Sequence, residues 1–204
     1  MRWSFSIRGI VFSALFAALL VGLSFLQVSL GFTPVPITLA NMGAMLAGVF
    51  LGAYYGFFSI ALVVVLTAIG LPLLDGAGGL GQILGPNGGY IVMWPFDALF
   101  VGWLSSKSNG SDAISYLKLF LVVEIFGSLL CYPLGVAWLA HSVHISTAKA
   151  LVLGCYPYLF GDALKALLTT LVAIPVRRLY PSRTYLESGG AKVVRLSEDE
   201  VAQT

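Results

Sequence analysis

Charge is what this chain of 204 residues lacks: Asp, Glu, Lys and Arg together make up only 10% of it. Soluble domains typically carry about 25%, and a surface facing water needs that charge to stay hydrated. The 11 basic residues are scattered and the formal net charge is +2, so no dense basic patch offers itself to nucleic acid. Cysteine is scarce as well. Cys131 and Cys155 sit inside apolar stretches without metal or redox spacing, and both read as small packing residues. His141 and His144 stand one helical turn apart with no further ligands nearby in sequence, which makes a poor metal site. No resident metal or cofactor is expected.

Apolar residues fill the space that charge leaves, at 58% of the chain. Between Arg8 and Asp75, 66 consecutive residues carry no formal charge. That is room for about three spans at about 20 residues each. The composition and this run together describe an integral membrane protein. The apolar segment 9–32 also outruns a signal-peptide core of about 7–15 residues, so it reads as a retained first helix.

The pattern predicts an all-α, polytopic protein with six transmembrane helices, at about 9–30, 38–52, 55–71, 89–105, 116–140 and 157–179. A long loop of 72–88 and a short segment of 147–154 connect them. Residues 1–179 form the membrane domain, and 180–204 read as a charged cytoplasmic tail. Orientation follows from the cations near the span ends. Arg2, Arg8, Lys107, Lys118, Arg177, Arg178 and Arg183 fall on one side, and Lys149 alone on the other. Both termini are therefore expected in the cytoplasm.

The residues most expensive to hold in lipid mark the candidate site. Asp162 and Lys165 are three apart and share one helix face, roughly 7 and 12 Å below the outer helix end. They suit either a polar floor for a ligand pocket or a mutually neutralising packing pair. Asp97, roughly 12 Å into its own helix, either pairs with Lys165 or lines the same pocket. Glu124 falls on the cytoplasmic half. The outer segment 76–89 is half glycine, seven residues of fourteen, and contains Asn87 as its natural polar contact. No Lys-Ser or Lys-Thr follows those glycines, so this is no nucleotide P-loop. Ala14, Ala18 and Gly22 form a small-residue stripe on the first helix, suited to close approach by another helix, inside this bundle or outside it.

An ordered set of motifs, spanning about residues 10–175, resembles the BioY family. Its pieces are Thr33-Pro34-Val35-Pro36-Ile37-Thr38, Gly70-Leu71-Pro72, the stretch Leu84-Gly85-Pro86-Asn87-Gly88-Gly89-Tyr90, Gly161-Asp162-x-x-Lys165, and Ala14-x-x-x-Ala18. BioY proteins are the biotin-binding S components of energy-coupling factor (ECF) transporters. The resemblance implies a six-helix fold, a pocket near the outer face and biotin as the transported ligand. It assigns biotin contacts to Asn87, Gly88, Gly89, Tyr90, Asp162 and Lys165, and a lid to Thr33–Thr38. It gives the stripe Ala14, Ala18 and Gly22 to docking on an ECF transmembrane component, which works with ATP-binding subunits in a bacterial cell (inner) membrane. Asp97 has no counterpart role in that pattern, and the resemblance stops short of Arg183–Thr204.

Two other classes fit less well. An intramembrane protease needs a nucleophile with a base in reach, and here both histidines lie at an outer edge. A self-sufficient or ion-coupled carrier or channel, working as a homo-oligomer, would need no ATPase partner. The chain has no nucleotide site of its own.

The expected topology is testable by cysteine labelling of intact cells in a Cys-free background. A thiol at Ala77 is expected to label from outside, and one at Ser108 only after the membrane is opened.

Overall fold

The computed structural model describes residues 6–106, 110 and 112–179, and the tail 180–204 lies outside the described residues together with Arg2, Lys107 and Arg183. The chain runs α1 (Ile7–Ser24), β1 (Gln27–Val28), β2 (Ile37–Thr38), α2 (Ala40–Ala68), α3 (Leu80–Leu84) and α4 (Gly88–Ser105). It continues through α5 (Ala113–Glu124), a π-helical turn (Ile125–Leu129), α6 (Cys131–Ser142), α7 (Thr147–Gly154) and α8 (Tyr156–Leu179). Four stretches are long and apolar enough to cross a membrane by length and composition: Ile7–Ser24, Ala40–Ala68, Ala113–Ser142 and Tyr156–Leu179.

Several expected boundaries shift for local reasons. The first helix starts at Ile7 because the Ser6 hydroxyl accepts from the Gly9 N–H at 3.0 Å, a side-chain N-cap. It stops at Ser24 rather than 30, since Gln27–Val28 pair antiparallel with Ile37–Thr38. The turn between them passes through Gly31 at φ +74°, a conformation that favours glycine. Residue 38 is therefore strand, and the second helix begins at Ala40. The third ends at Ala68, short of 71, and the 72–88 loop contains the short helix α3. The fifth is longer than expected and continues through a π turn.

The second and third predicted helices meet at one residue. Gly52 takes φ 77° and ψ −175°, and the two arms of α2 fold back on each other there. A Cβ at Gly56 would lie 3.1 Å from the Ala47 carbonyl oxygen, a contact that no straight helix could make. Arms of 40–51 and 53–68 are only about 18 and about 24 Å long at 1.5 Å per residue.

Close backbone packing holds this hairpin to its neighbours. A Cβ at Gly48 would fall 2.6 Å from the Ala98 carbonyl oxygen, and one at Gly102 only 2.3 Å from the Gly52 carbonyl carbon. On the other side, a Cβ at Gly43 would fall 2.8 Å from the Leu20 Cα. Such small-on-small contacts let helices in lipid gain dispersion energy where no hydrophobic drive separates them from the solvent. Arg177 then closes the end of the bundle, its guanidinium donating to the carbonyls of Val49 and Ser105 and to the Ser105 hydroxyl. The start of α1 reaches the same end, where the Ser6 N–H donates to the Tyr55 hydroxyl at 3.0 Å.

The small-residue stripe points away from this core. Ala14, Ala18 and Gly22 are exposed, whereas Gly9, Ala17, Leu20 and Ser24 form the buried face of α1. A Cβ at Gly22 meets nothing within 4 Å. The reading in which the stripe packs inside the bundle does not hold.

Gly102→Ala is expected to lower stability by about 1–3 kcal/mol, because the added methyl must push two backbones apart. Gly22→Ala should be neutral. Thermal unfolding of the two detergent-purified variants beside the wild type checks both.

Candidate functional site

At the end of the bundle opposite Arg177, the helices stop short and loops close over a pocket of about 660 Å³, measured out to its open mouth. Its walls come from nearly every part of the chain. Tyr90, Ile91 and Trp94 of α4 line it together with Tyr132 of α6 and Tyr158 of α8, and the connecting loops supply Val35, Asp75 and Asn87.

The polar part of this wall is a four-residue network. Lys165 and Asp162 are paired at 2.8 Å, with side chains about 7% exposed each. The Lys165 Nζ also donates to the Asn41 Oδ1 at 3.0 Å. The Asn41 Nδ2 donates in turn to the Asp162 Oδ1 at 3.0 Å, closing a three-membered ring of contacts. The other Asp162 oxygen accepts from the Tyr132 hydroxyl at 2.5 Å. Helical geometry explains the pair, since positions three apart face the same way on α8. The fold explains the rest: Asn41 stands in the first turn of α2, and Tyr132 follows the π turn that widens the α5–α6 helix. An ion pair out of water is tolerable only when its remaining valences are satisfied. Here Asn41 and Tyr132 do that.

Aromatic and loop contacts frame the network. The Tyr90 hydroxyl donates to the Gly154 carbonyl at 2.8 Å, and its ring stands edge-on to Tyr132 at 6.2 Å. The Thr33–Thr38 segment is tied down over the pocket. The Thr33 hydroxyl donates to the Leu153 carbonyl at 2.8 Å, and the Tyr158 hydroxyl donates to the Val35 carbonyl. Val35, Pro36 and Thr38 line the cavity.

The structure sorts the expected site residues. Asn87, Tyr90, Asp162 and Lys165 all line the pocket. Gly88 and Gly89 do not: a Cβ at Gly88 would lie 1.8 Å from the Ile83 carbonyl oxygen, and one at Gly89 2.5 Å from the Trp138 Cβ. They allow α4 to begin in close contact with α3 and α6. Asp97 neither pairs with Lys165 nor lines the cavity. It is fully buried, and neither carboxylate oxygen has a hydrogen-bond partner among the described residues. The rings of His141 and His144 lie 6.4 Å apart, and among the described residues no three His, Cys, Asp or Glu side chains group as a metal site.

Sequence reasoning missed Asn41 and Tyr132. A search for formal charge passes over both, yet a carboxamide deep within the uncharged 9–74 run, as Asn41 is, was a usable signal. Tyr132 gave none, because a tyrosine in an apolar stretch looks like any packing aromatic.

Removing half of the ion pair should be much costlier than removing both. Asp162→Asn leaves a buried ammonium without its counter-charge and is expected to cost about 3–5 kcal/mol. Tyr132→Phe should cost about 1 kcal/mol. The double change Asp162→Asn with Lys165→Met should recover most of the loss, as read by thermal unfolding without ligand.

Comparison with known proteins gives the same direction. The family model for the BioY family matches residues 1–182. A Rhizobium etli protein named biotin transporter BioY is 40% identical over 181 residues, covering 86% of this chain and 96% of that protein. One of the same name from Lactococcus lactis is 35% identical, covering 85% and 90%. A crystal structure of the S-component for biotin from an ECF-type ABC transporter superimposes with a TM-score of 0.81 at 33% identity, over 89% of this chain and 96% of that one. With matching motifs, fold and family model, this chain belongs to the BioY family.

Proposed function

We propose that the protein binds biotin in the Asp162–Lys165 pocket and serves its uptake as the S component of an ATP-driven ECF transporter. The observation that carries this reading is the pocket itself, with a buried polar network set among aromatic and aliphatic side chains. Biotin has a cyclic urea with two N–H donors and one carbonyl acceptor, an apolar bicycle and a carboxylate tail. The network offers both signs of partner: Asp162 oxygens can accept, and the Lys165 ammonium can donate. The family supports transport rather than catalysis, since its named relatives are transporters.

The protein lies in the cell membrane as six spans, counting the two arms of α2 separately and adding α4. Both termini face the cytoplasm. This reading is supported by the shared end reached by α1 and Arg177 and by the cation bias. The pocket then opens outward, between 76–89 and the Thr33–Thr38 lid. Residues 1–179 are the membrane domain, and 180–204 a cytoplasmic tail. Ala14, Ala18 and Gly22 dock on the ECF transmembrane component, supported by their exposure on α1. ATP-binding subunits complete the assembly.

Labelled biotin and the purified protein test the binding half. Asp162→Asn and Lys165→Met should each weaken binding by about 1–3 kcal/mol, the cost of unsatisfied buried partners. Ala14→Trp and Ala18→Trp test the transport half. Both should lose co-purification with the ATP-hydrolysing module and ATP-dependent uptake while keeping biotin affinity. Uptake that survives in cells without that module would mean a self-sufficient carrier instead.

A further inference from the structure

One carboxylate in the pocket wall takes no part in the network. Asp75 belongs to the outer loop between α2 and α3, and it lines the same cavity as Asp162 and Lys165. Its backbone is held firmly. The Asp75 N–H donates to the Ser24 hydroxyl at 3.1 Å, and Leu74 and Ala77 bridge around it. The residue sits at φ 57°, in the left-handed region that side chains seldom adopt outside tight turns. Its Oδ1 is buried without a hydrogen-bond partner among the described residues, and so is the Oδ1 of Asn87, another pocket residue from the outer loops. A turn pinned this way holds the Asp75 side chain in the wall of the outer half of the pocket.

On the biotin reading above, the two halves of the pocket suit different ends of the ligand. A cyclic urea both donates and accepts, and the Asn41–Asp162–Lys165 network presents an ammonium donor beside carboxylate and carboxamide acceptors. A carboxylate only accepts, and it keeps more of its hydration at the open mouth than on a floor whose ammonium is already neutralised at 2.8 Å. The acid tail therefore points to the outer loops. There it meets the oxygens of Asp75.

We infer that Asp75 is a selectivity residue at the pocket mouth, which disfavours an ionised ligand tail and favours a tail that is neutral or carries an N–H donor. Two carboxylates side by side cannot both ionise at ordinary cost, so they hold a proton between them or separate. Burial already raises the Asp75 carboxyl above its usual range, and no charged neighbour acts on it to offset that. The groups packed around it from α1 and from its own loop, Ser24, Leu74 and Ala77, do not titrate. An anionic tail pushes the same way as burial. The complex with biotin then holds one more proton than the separated partners. Affinity for biotin falls as pH rises, by at most about tenfold per unit for one proton.

The experiment compares biotin with biotin amide, which has the same ring and an uncharged, donating tail. Binding of each to the full-length protein in detergent is measured from about pH 5 to about pH 8, where an ordinary carboxylic acid is already ionised. The wild type should lose biotin affinity several-fold over that range while the amide changes little, and the amide should be preferred at the upper end. Asp75→Asn should flatten the biotin curve and tighten biotin at the upper end. Asn tolerates the left-handed conformation, so the turn survives, and Asp75→Gly is a second variant that adopts it freely. Identical biotin pH profiles in the wild type and both variants would overturn the inference, as would an unchanged amide-to-biotin ratio. Failure of the wild type to bind either compound would instead strike at the biotin reading itself.

Discussion

The rest of the site depends on one contact, the ion pair between Lys165 and Asp162 at 2.8 Å. A lone charge at that depth is costly, and a bare pair is barely better unless its other hydrogen-bonding positions are filled. That requirement reaches across the fold. Asn41 has to come from α2, Tyr132 from α6, and each has to arrive with its polar group facing α8. Three helices from separate parts of the chain are thereby fixed in register around one side-chain cluster. The same cluster, with one face left toward the cavity, is what a ligand with mixed donors and acceptors would find.

Shortness does the other half of the work. Because α2 folds back at Gly52 and α1 ends at Ser24, the end of the domain opposite Arg177 is closed by loops, a two-residue strand pair and the small helix α3. Irregular backbone at membrane depth is tolerated only where protein covers it or a cavity is lined. Here it does both: the Tyr158 hydroxyl satisfies the loop carbonyl of Val35, the Thr33 hydroxyl ties the loop to the Leu153 carbonyl of α7, and the space beneath becomes the pocket. At the opposite end, Arg177 ties the bundle together by capping the carbonyls of Val49 and Ser105. A residue counted from sequence as a marker of sidedness is thus also a structural brace.

Glycine carries two separate duties in this architecture. Gly52 and Gly31 supply backbone angles that turn the chain. Gly48, Gly102, Gly88 and Gly89 are needed for what they omit, since a methyl on any of them would overlap a neighbouring backbone or side chain. The glycine-rich 76–89 segment looks from sequence like a ligand cradle. In space, part of it is packing, and Gln82 and Asn87 are among its residues that line the pocket.

The sequence alone determined the solvent, the approximate positions of the helices and the pair at the centre of the site. All three follow from local rules: charge depletion, apolar run length, and a spacing of three on one helix face. It also carried the family motifs in order. What it left open was decided by packing between distant segments. Neither the inward approach of Asn41 and Tyr132 nor the outward face of Ala14, Ala18 and Gly22 follows from spacing along one helix. Asp97 shows the same limit from the other side, as a charge in a span that marked itself for the pocket and was placed by α4 outside its lining. Periodicity tells which residues share a face. Only the tertiary structure tells what that face meets.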